Sequence, residues 1–222
     1  MKYISKTKLL AVVLVAFTIQ ACNKEEQVVA PTIANEALTT VSVIVTNTLA
    51  PFDKDTATWE QLLDANGYPL PVDVSKVDLT LKANATYTAE LVLLDKSQSP
   101  VFNVSNEIKE RANYHLFFYQ SLPSMSAFVI PYTSGDVLPD PIPTNASTTA
   151  TVSSNALNLT VSITDHDSNP QVYPLGLQSS FVTGANSTGW LRLMLRHQPN
   201  SKNGTYTPGS TDLDVGFNVT IQ

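Results

Sequence analysis

Oxygen-bearing side chains alternate through Asp165-His166-Asp167-Ser168-Asn169, the stretch of this chain best suited to holding a hard cation. Calcium loops place carboxylate and amide oxygens at every second position so that they converge on one ion. Here Asp165, Asp167 and Asn169 would be the ligands. Pro170 stands where an EF-hand turn uses glycine, and Gly176 where its bidentate glutamate belongs. The turn would therefore supply part of a calcium shell, to be completed elsewhere by Asp53 and Asp55. The same residues also suit an ordinary polar turn, because Asp and Asn side chains bond their own backbone.

Other chemistry-bearing residues are scattered. His115, His166 and His197 show no ligand spacing of the His-x-His or His-x-Glu-x-x-His kind, which predicts quiet histidines at the edge of a core. There is no Gly-x-Ser-x-Gly elbow and no glycine-rich phosphate loop. The expectation is a protein that is not an enzyme. A hydrolase with an unrecognised site is the alternative, since a Ser-His-Asp triad is defined by geometry and not by spacing. Glu107 and Glu110 would share a helical face as a solvated pair. Trp59, Tyr68, Tyr132, Tyr173, Trp190 and Tyr206 fall in or beside expected loops, where exposed rings stack on sugars or peptides. Trp190 is in phase with Arg192 and Met194 and has packing as its other reading. Asp55-Thr56-Ala57 resembles the O-glycosylation sequon of Bacteroidota, which marks Thr56.

The elements that must position these residues are strands. Apolar residues alternate with polar ones at Val41, Val43, Val45; at Val77, Leu79, Leu81; at Leu157, Leu159, Val161, Ile163; and at Leu213, Val215, Phe217, Val219, Ile221. Period 2 with one apolar face marks a half-buried strand. Residues 86–94, 114–120, 127–132, 177–183 and 189–197 are further strands, about nine in all. Asn84, Asn66-Gly67, Gly184 and Pro199-Asn200 punctuate them as turns. Only residues 103–112 read as helix, a short connector capped by Asn103 or Ser105. The expected fold is all-β, a single antiparallel β-sandwich of immunoglobulin-like character over residues 36–222. A Pro-rich stretch at 135–147 is a loop, or the split between two smaller sandwiches.

The N-terminus carries an address. Lys2, Lys6 and Lys8 precede an apolar run at 9–19 and then Gln20-Ala21-Cys22, the layout of a secretory signal over residues 1–21. Eleven helical residues rise about 16 Å against a hydrocarbon core of roughly 30 Å, too little to span a membrane. Ile19-Gln20-Ala21-Cys22 resembles the lipobox of bacterial lipoproteins, which implies acyl chains on Cys22 and a membrane anchor. Cys22 is the one cysteine of the 222 residues, so the domain has no internal disulfide to rely on. Residues 22–35 read as a lipidated tether. Asn23-Lys24-Glu25-Glu26 resembles the signal that sends Bacteroidota lipoproteins to the outer face of the outer membrane. Three of the 13 Lys+Arg and none of the 19 Asp+Glu lie in residues 1–21, leaving 10 basic against 19 acidic side chains, a net −9. An acidic mature chain argues against nucleic acid as a partner.

Residues 80–87 (TLKANATY) with Leu93-Leu94-Asp95, residues 110–119, 193–199 and 211–222 together resemble uncharacterised small lipoproteins of Flavobacteria-type Bacteroidota. In these, segments such as LKANTTY, LRHEP and TDIEVTFDVTIQ recur. Some members bear an automatic label of type 1 periplasmic binding fold, an α/β architecture that the alternation here does not support. Gln198 stands at that family's Glu position. The resemblance implies no catalytic residues. The expected role is that of an outer-membrane lipoprotein, facing the surface or the periplasm, with a non-enzymatic binding or structural task. A calcium-stabilised adhesin or a module for an extracellular glycan or protein partner is the alternative.

Overall fold

The computed structural model describes residues 38–123, 149–150, 157–206 and 208–222. The signal sequence, Cys22, the tether, the strand expected at 127–132, Tyr132 and the Pro-rich stretch lie outside the described residues. In chain order the elements are β1 (Thr40–Asn47), β2 (Lys54–Glu60), β3 (Asp78–Leu81), β4 (Thr86–Asp95), β5 (Phe102–Asn103), α1 (Val104–Glu110), β6 (His115–Pro123), β7 (Thr149–Ala150), β8 (Leu159–Ile163), β9 (Gln178–Thr183), β10 (Ser187–His197) and β11 (Ser210–Ile221). Two sheets form an all-β sandwich. One runs β2-β1-β4-β9-β8-β7, with β5 added to β4, and the other runs β3-β11-β10-β6.

Both sheets take strands from either side of the Pro-rich stretch: β4 pairs with β9, and β6 with β10. The two halves therefore do not form separate sandwiches. The inward sets seen in the alternation make the core. Val41, Val43, Val45, Leu159 and Val161 face Leu79, Leu81, Leu213, Val215, Phe217, Val219 and Ile221, all buried in one cluster. Each such side chain contributes about 1.5–3 kcal/mol through burial.

Three features depart from the expectation. First, pairing is antiparallel except for β3, which runs parallel to β11 from Asp78↔Asn218 to Leu81↔Ile221. Second, β2 is a strand that is not among those expected from the alternation. Its inward positions are Asp55, Ala57 and Trp59, of which only two are buried apolar side chains, too few for a clear period. Lys54 and Glu60 close its ends, as charges commonly do on an edge strand. Third, β10 is buried on both faces. Trp190, Leu191, Leu193 and Leu195 belong to the main core, while Arg192, Met194 and Arg196 are buried on the other side. Its sequence accordingly lacks the strict apolar–polar alternation, with five apolar residues and two arginines over 190–196.

Arg192 is fully buried there and grips Asp214 with a two-pronged contact, Nε donating to Oδ1 at 2.7 Å and Nη2 to Oδ2. Met194 packs with Leu116 and Phe118 in a second small core under Tyr206. The helix is more than a connector. Asn103 caps it by accepting the Asn106 amide, and Val104 and Ile108 are buried in the core cluster.

Candidate functional site

One end of the sandwich collects most of the residues that could do chemistry. There the chain leaves α1 through residues 111–114, turns between β8 and β9 through residues 164–177, and loops between β10 and β11 through residues 198–209. The middle turn holds the expected cation ligands. Asp165 accepts the Gly176 amide (2.7 Å) and the Leu177 amide (3.0 Å). Asp167 accepts the backbone amides of Asn169 (3.2 Å) and Tyr173 (3.0 Å) and the Asn169 side-chain nitrogen (3.0 Å).

The charge beside Asp167 is Lys202, whose Nζ lies 2.8 Å from Oδ2 with both side chains almost wholly buried (1% and 0% exposed). Lys202 also donates to the Ala112 carbonyl at 2.9 Å, so this one ammonium ties all three segments together. Burial works to raise the Asp167 pKa, but the Lys202 contact and the amide bonds outweigh it and hold the carboxyl below its ordinary value. Burial draws Lys202 down from its own ordinary value, with Asp167 and Asp165 opposing.

The expected completion of the turn by Asp53 and Asp55 does not occur. Asp53 pairs with Lys82 (3.0 Å) and Asn47, and Asp55 accepts the Thr80 amide at 2.6 Å. They sit at the far end of the sheet, on and before β2, four strand spacings from β8. At ~4.8 Å per strand that alone is about 19 Å. Among the described residues, no three acidic or histidine side chains are gathered as a metal cluster. Thr56 is exposed on the edge strand β2, with its amide bonded to Asp55 Oδ1 (2.8 Å).

Over the buried pair opens a cleft of about 390 Å³ whose wall carries four carboxamides, Asn113, Asn169, Gln171 and Asn200, and two tyrosines, Tyr114 and Tyr173. Its loops are firmly held. Gln198, fully buried, donates its side-chain amide to the carbonyls of Thr205 (2.7 Å) and Pro208 (2.9 Å). Arg196 donates to the carbonyls of Pro208 and Gly209 and to Thr211 Oγ1, and lies 4.4 Å over the Tyr206 ring. Asn113 Oδ1 accepts from the Ser168 amide (3.3 Å), joining the first segment to the turn. A neighbouring cleft of about 470 Å³ lies between α1 and the turn, with Lys109, Asp165 and His166 on its walls and Leu91, Leu175 and Leu177 among its apolar lining.

The aromatic expectation holds at some positions and fails at others. Tyr173 lines the cleft, and Tyr68 is 69% exposed in the loop before β3. Trp59 and Trp190 are buried within strands, and Tyr206 packs edge-on against Phe118 at 5.3 Å. Trp59 and Trp190 thus offer no open face, and Tyr206 carries Arg196 over its ring. No sequence signal joined Asn113, Asn169, Gln171 and Asn200, which come from three separate segments.

Beside the ion pair, His115 and His197 are direct cross-strand partners whose rings stack at 5.0 Å with 13° between planes. His166 is exposed, its Nδ1 3.0 Å from the Asp167 carbonyl oxygen. His115 is buried, and its Nδ1 lies 3.0 Å from the Arg111 carbonyl oxygen. Burial lowers its pKa to about 4; the Arg111 carbonyl opposes the shift, while His197, Arg111 and Lys202 add to it. A lowered folded value means that the unfolded chain takes up the proton first as the pH falls. Stability is therefore lost from about pH 6.5 down to about pH 4, by about 3 kcal/mol, and His115 adds no slope below that. Urea unfolding at a series of pH values should show this slope in the parent protein and lose most of it in His115→Gln. An unchanged slope in the variant would assign it to another group.

The chain is thus an all-β two-sheet sandwich carrying a polar, tyrosine-flanked cleft at one end. No protein-family model matches it, and neither a curated protein nor a solved structure does so.

Proposed function

We propose that this protein is a lipid-anchored lipoprotein of the outer membrane, exposed at the cell surface, whose sandwich binds its ligand non-covalently in the loop-end cleft. The observation that carries the binding role is the cleft itself. The loops that carry its wall are held from behind by Lys202, Gln198 and Arg196, so little backbone ordering remains to be done when a ligand arrives. Loops held on a rigid sheet scaffold are where sandwiches place recognition. The strand order supports an immunoglobulin-like reading. β1-β4-β9-β8 facing β6-β10-β11 follows, in chain order, the A-B-E-D and C-F-G sheets of that fold, with β2, β3, β5 and β7 as additions.

The anchor rests on residues 1–22, and the resemblance to Flavobacteria-type lipoproteins agrees with it. Two or three acyl chains at ~0.8 kcal/mol per buried methylene hold a protein on a bilayer far more firmly than one chain can. Expressed in a Bacteroidota host, the parent should incorporate labelled palmitate, enter the detergent-rich phase on Triton X-114 partition and be cut by protease added to whole cells. Cys22→Ser should take up no label and stay in the aqueous phase. Equal partition of the two forms would overturn the anchor, and protection from protease on intact cells would overturn the surface location.

A further inference from the structure

We infer that the loop-end cleft recognises a neutral carbohydrate through its carboxamides and Tyr173. The inference rests on the reading of that cleft as the binding site and adds the class of ligand.

Four of the polar groups on its wall are carboxamides. A carboxamide offers two donors and an acceptor in one plane, whereas a carboxylate only accepts and an ammonium only donates. A sugar hydroxyl both donates and accepts, so a pair of adjacent hydroxyls is matched by an amide and by neither charged group alone. The internal bonds of the cleft sort its amides into roles. Asn113 spends its oxygen on the Ser168 amide and hydroxyl (3.3 and 3.4 Å), which leaves its NH₂ to donate. Asn169 spends an N–H on Asp167 (3.0 Å), which leaves its oxygen to accept. The exposed Gln171 and Asn200 side chains make no hydrogen bond among the described residues and offer both functions. Donor and acceptor are thus both supplied, from separate segments that the Lys202 and Gln198 contacts keep in place.

Charge selects in the same direction. Among the described residues lining this wall, Lys202 is the only Lys, Arg, His, Asp or Glu, and its charge is met by Asp167 at 2.8 Å with the side chain 1% exposed. Among the described lining residues, a phosphate, sulfate or uronate would find no free cation, and an ammonium no free carboxylate. The tyrosines supply the apolar component. Tyr173 is half-buried, and the Cδ1–Cε1 edge of its ring lies beside Gly204, where an added Cβ would stand 3.1 Å from Cδ1. A half-buried aromatic ring lining a polar cleft is suited to stack on the C–H face of a pyranose. A volume of about 390 Å³ is at the small end for ligand sites, room for about one or two sugar rings.

The test uses the purified full-length protein in detergent micelles, so the readout does not depend on where the anchor sits. It is applied to an array of neutral oligosaccharides, their uronic and sulfated counterparts, and a random peptide array. Hits are then titrated by saturation-transfer NMR. The variant for the site is Gln171→Ala with Asn200→Gly. Gln171 is exposed, and glycine suits the left-handed backbone of Asn200 (φ 56°), so the fold is spared. Tyr173→Ala serves as a second, independent variant.

The expected result is binding of at least one neutral saccharide, weakened tenfold or more by the double variant and by Tyr173→Ala. Binding confined to acidic saccharides or to peptides, and lost in the double variant, would overturn the ligand class while leaving the cleft as the site. Saccharide binding that neither variant weakens, or no binding across the arrays, would overturn both.

Discussion

Lys202→Met lowers the unfolding free energy by about 3–5 kcal/mol, the cost of leaving a buried charge without its partner. For a domain of this size that is roughly 10 °C in the thermal midpoint. The substitution keeps the length and apolar body of the side chain, so little packing is lost. What goes is the ammonium 2.8 Å from Asp167 and its hydrogen bond to the Ala112 carbonyl. Asp167 keeps its contacts from the Asn169 and Tyr173 amides, which place the loss within this range and not above it.

The pH dependence gives a second readout. Asp167 is held below its ordinary value in the parent, so the stability it contributes is present above about pH 4 and lost as the pH falls further. Without Lys202 the effect of burial is no longer outweighed so fully, and the acid limb moves to higher pH. Adding Asp167→Asn to Lys202→Met removes the stranded charge and should recover more than half of the loss. A single variant that loses under about 1 kcal/mol, with an unmoved acid limb, would show the pair to be worth no more than a surface ion pair.

This ion pair also shows what the sequence could and could not reveal. Asp165-His166-Asp167-Ser168-Asn169 was legible as a turn that concentrates oxygen, because spacing within one segment is visible in the chain. Its partner was not legible, because Lys202 reaches back to Ala112 across 90 positions and Ser168 to Asn113 across 55. A cleft built from three such segments has no local pattern to betray it.

The strands divide along the same line. β1, β8 and β11 were readable because their inward residues are apolar and their outward residues polar, which is a period of 2. β2 hid because an edge strand buries little: Ala57 and Trp59 are its only buried apolar side chains. The parallel run of β3 on β11 left no trace, since alternation reports which face is inside and not which neighbour lies alongside. Trp59 escapes for a related reason: an aromatic beside turn residues reads as a loop residue until the strand extends past it, as β2 does. Trp190 lies on the strand expected at 189–197, and of its two readings the packed one holds.

Gly176→Ala should cost about 4 kcal/mol, although it adds one methyl group to a residue that belongs to no strand. Two effects combine. Gly176 has φ +101°, a conformation that costs a residue with a side chain about 1–3 kcal/mol. Its new Cβ would also stand 2.6 Å from the Phe117 Cβ in the core, and forcing an atom into a filled space costs about 1–3 kcal/mol more. Relief by shifting the backbone is blocked on both sides. The Gly176 amide donates to Asp165 at 2.7 Å, and its carbonyl accepts the buried Tyr119 hydroxyl at 2.6 Å. A shift large enough to clear Phe117 would lengthen both bonds and carry the strain through Asp165 toward the cleft.

Gly67→Ala is the matched comparison, because Gly67 also has positive φ (+82°) but nothing lies within 4 Å of the position its Cβ would take. It should cost only the conformational part, about 1 kcal/mol. Thermal and urea unfolding of the two variants side by side separates the contributions, with Gly176→Ala expected to lie roughly 6–12 °C below Gly67→Ala. Equal midpoints would mean that the core beneath the turn yields to the methyl group. In that case the rigid floor on which the cleft depends would not exist.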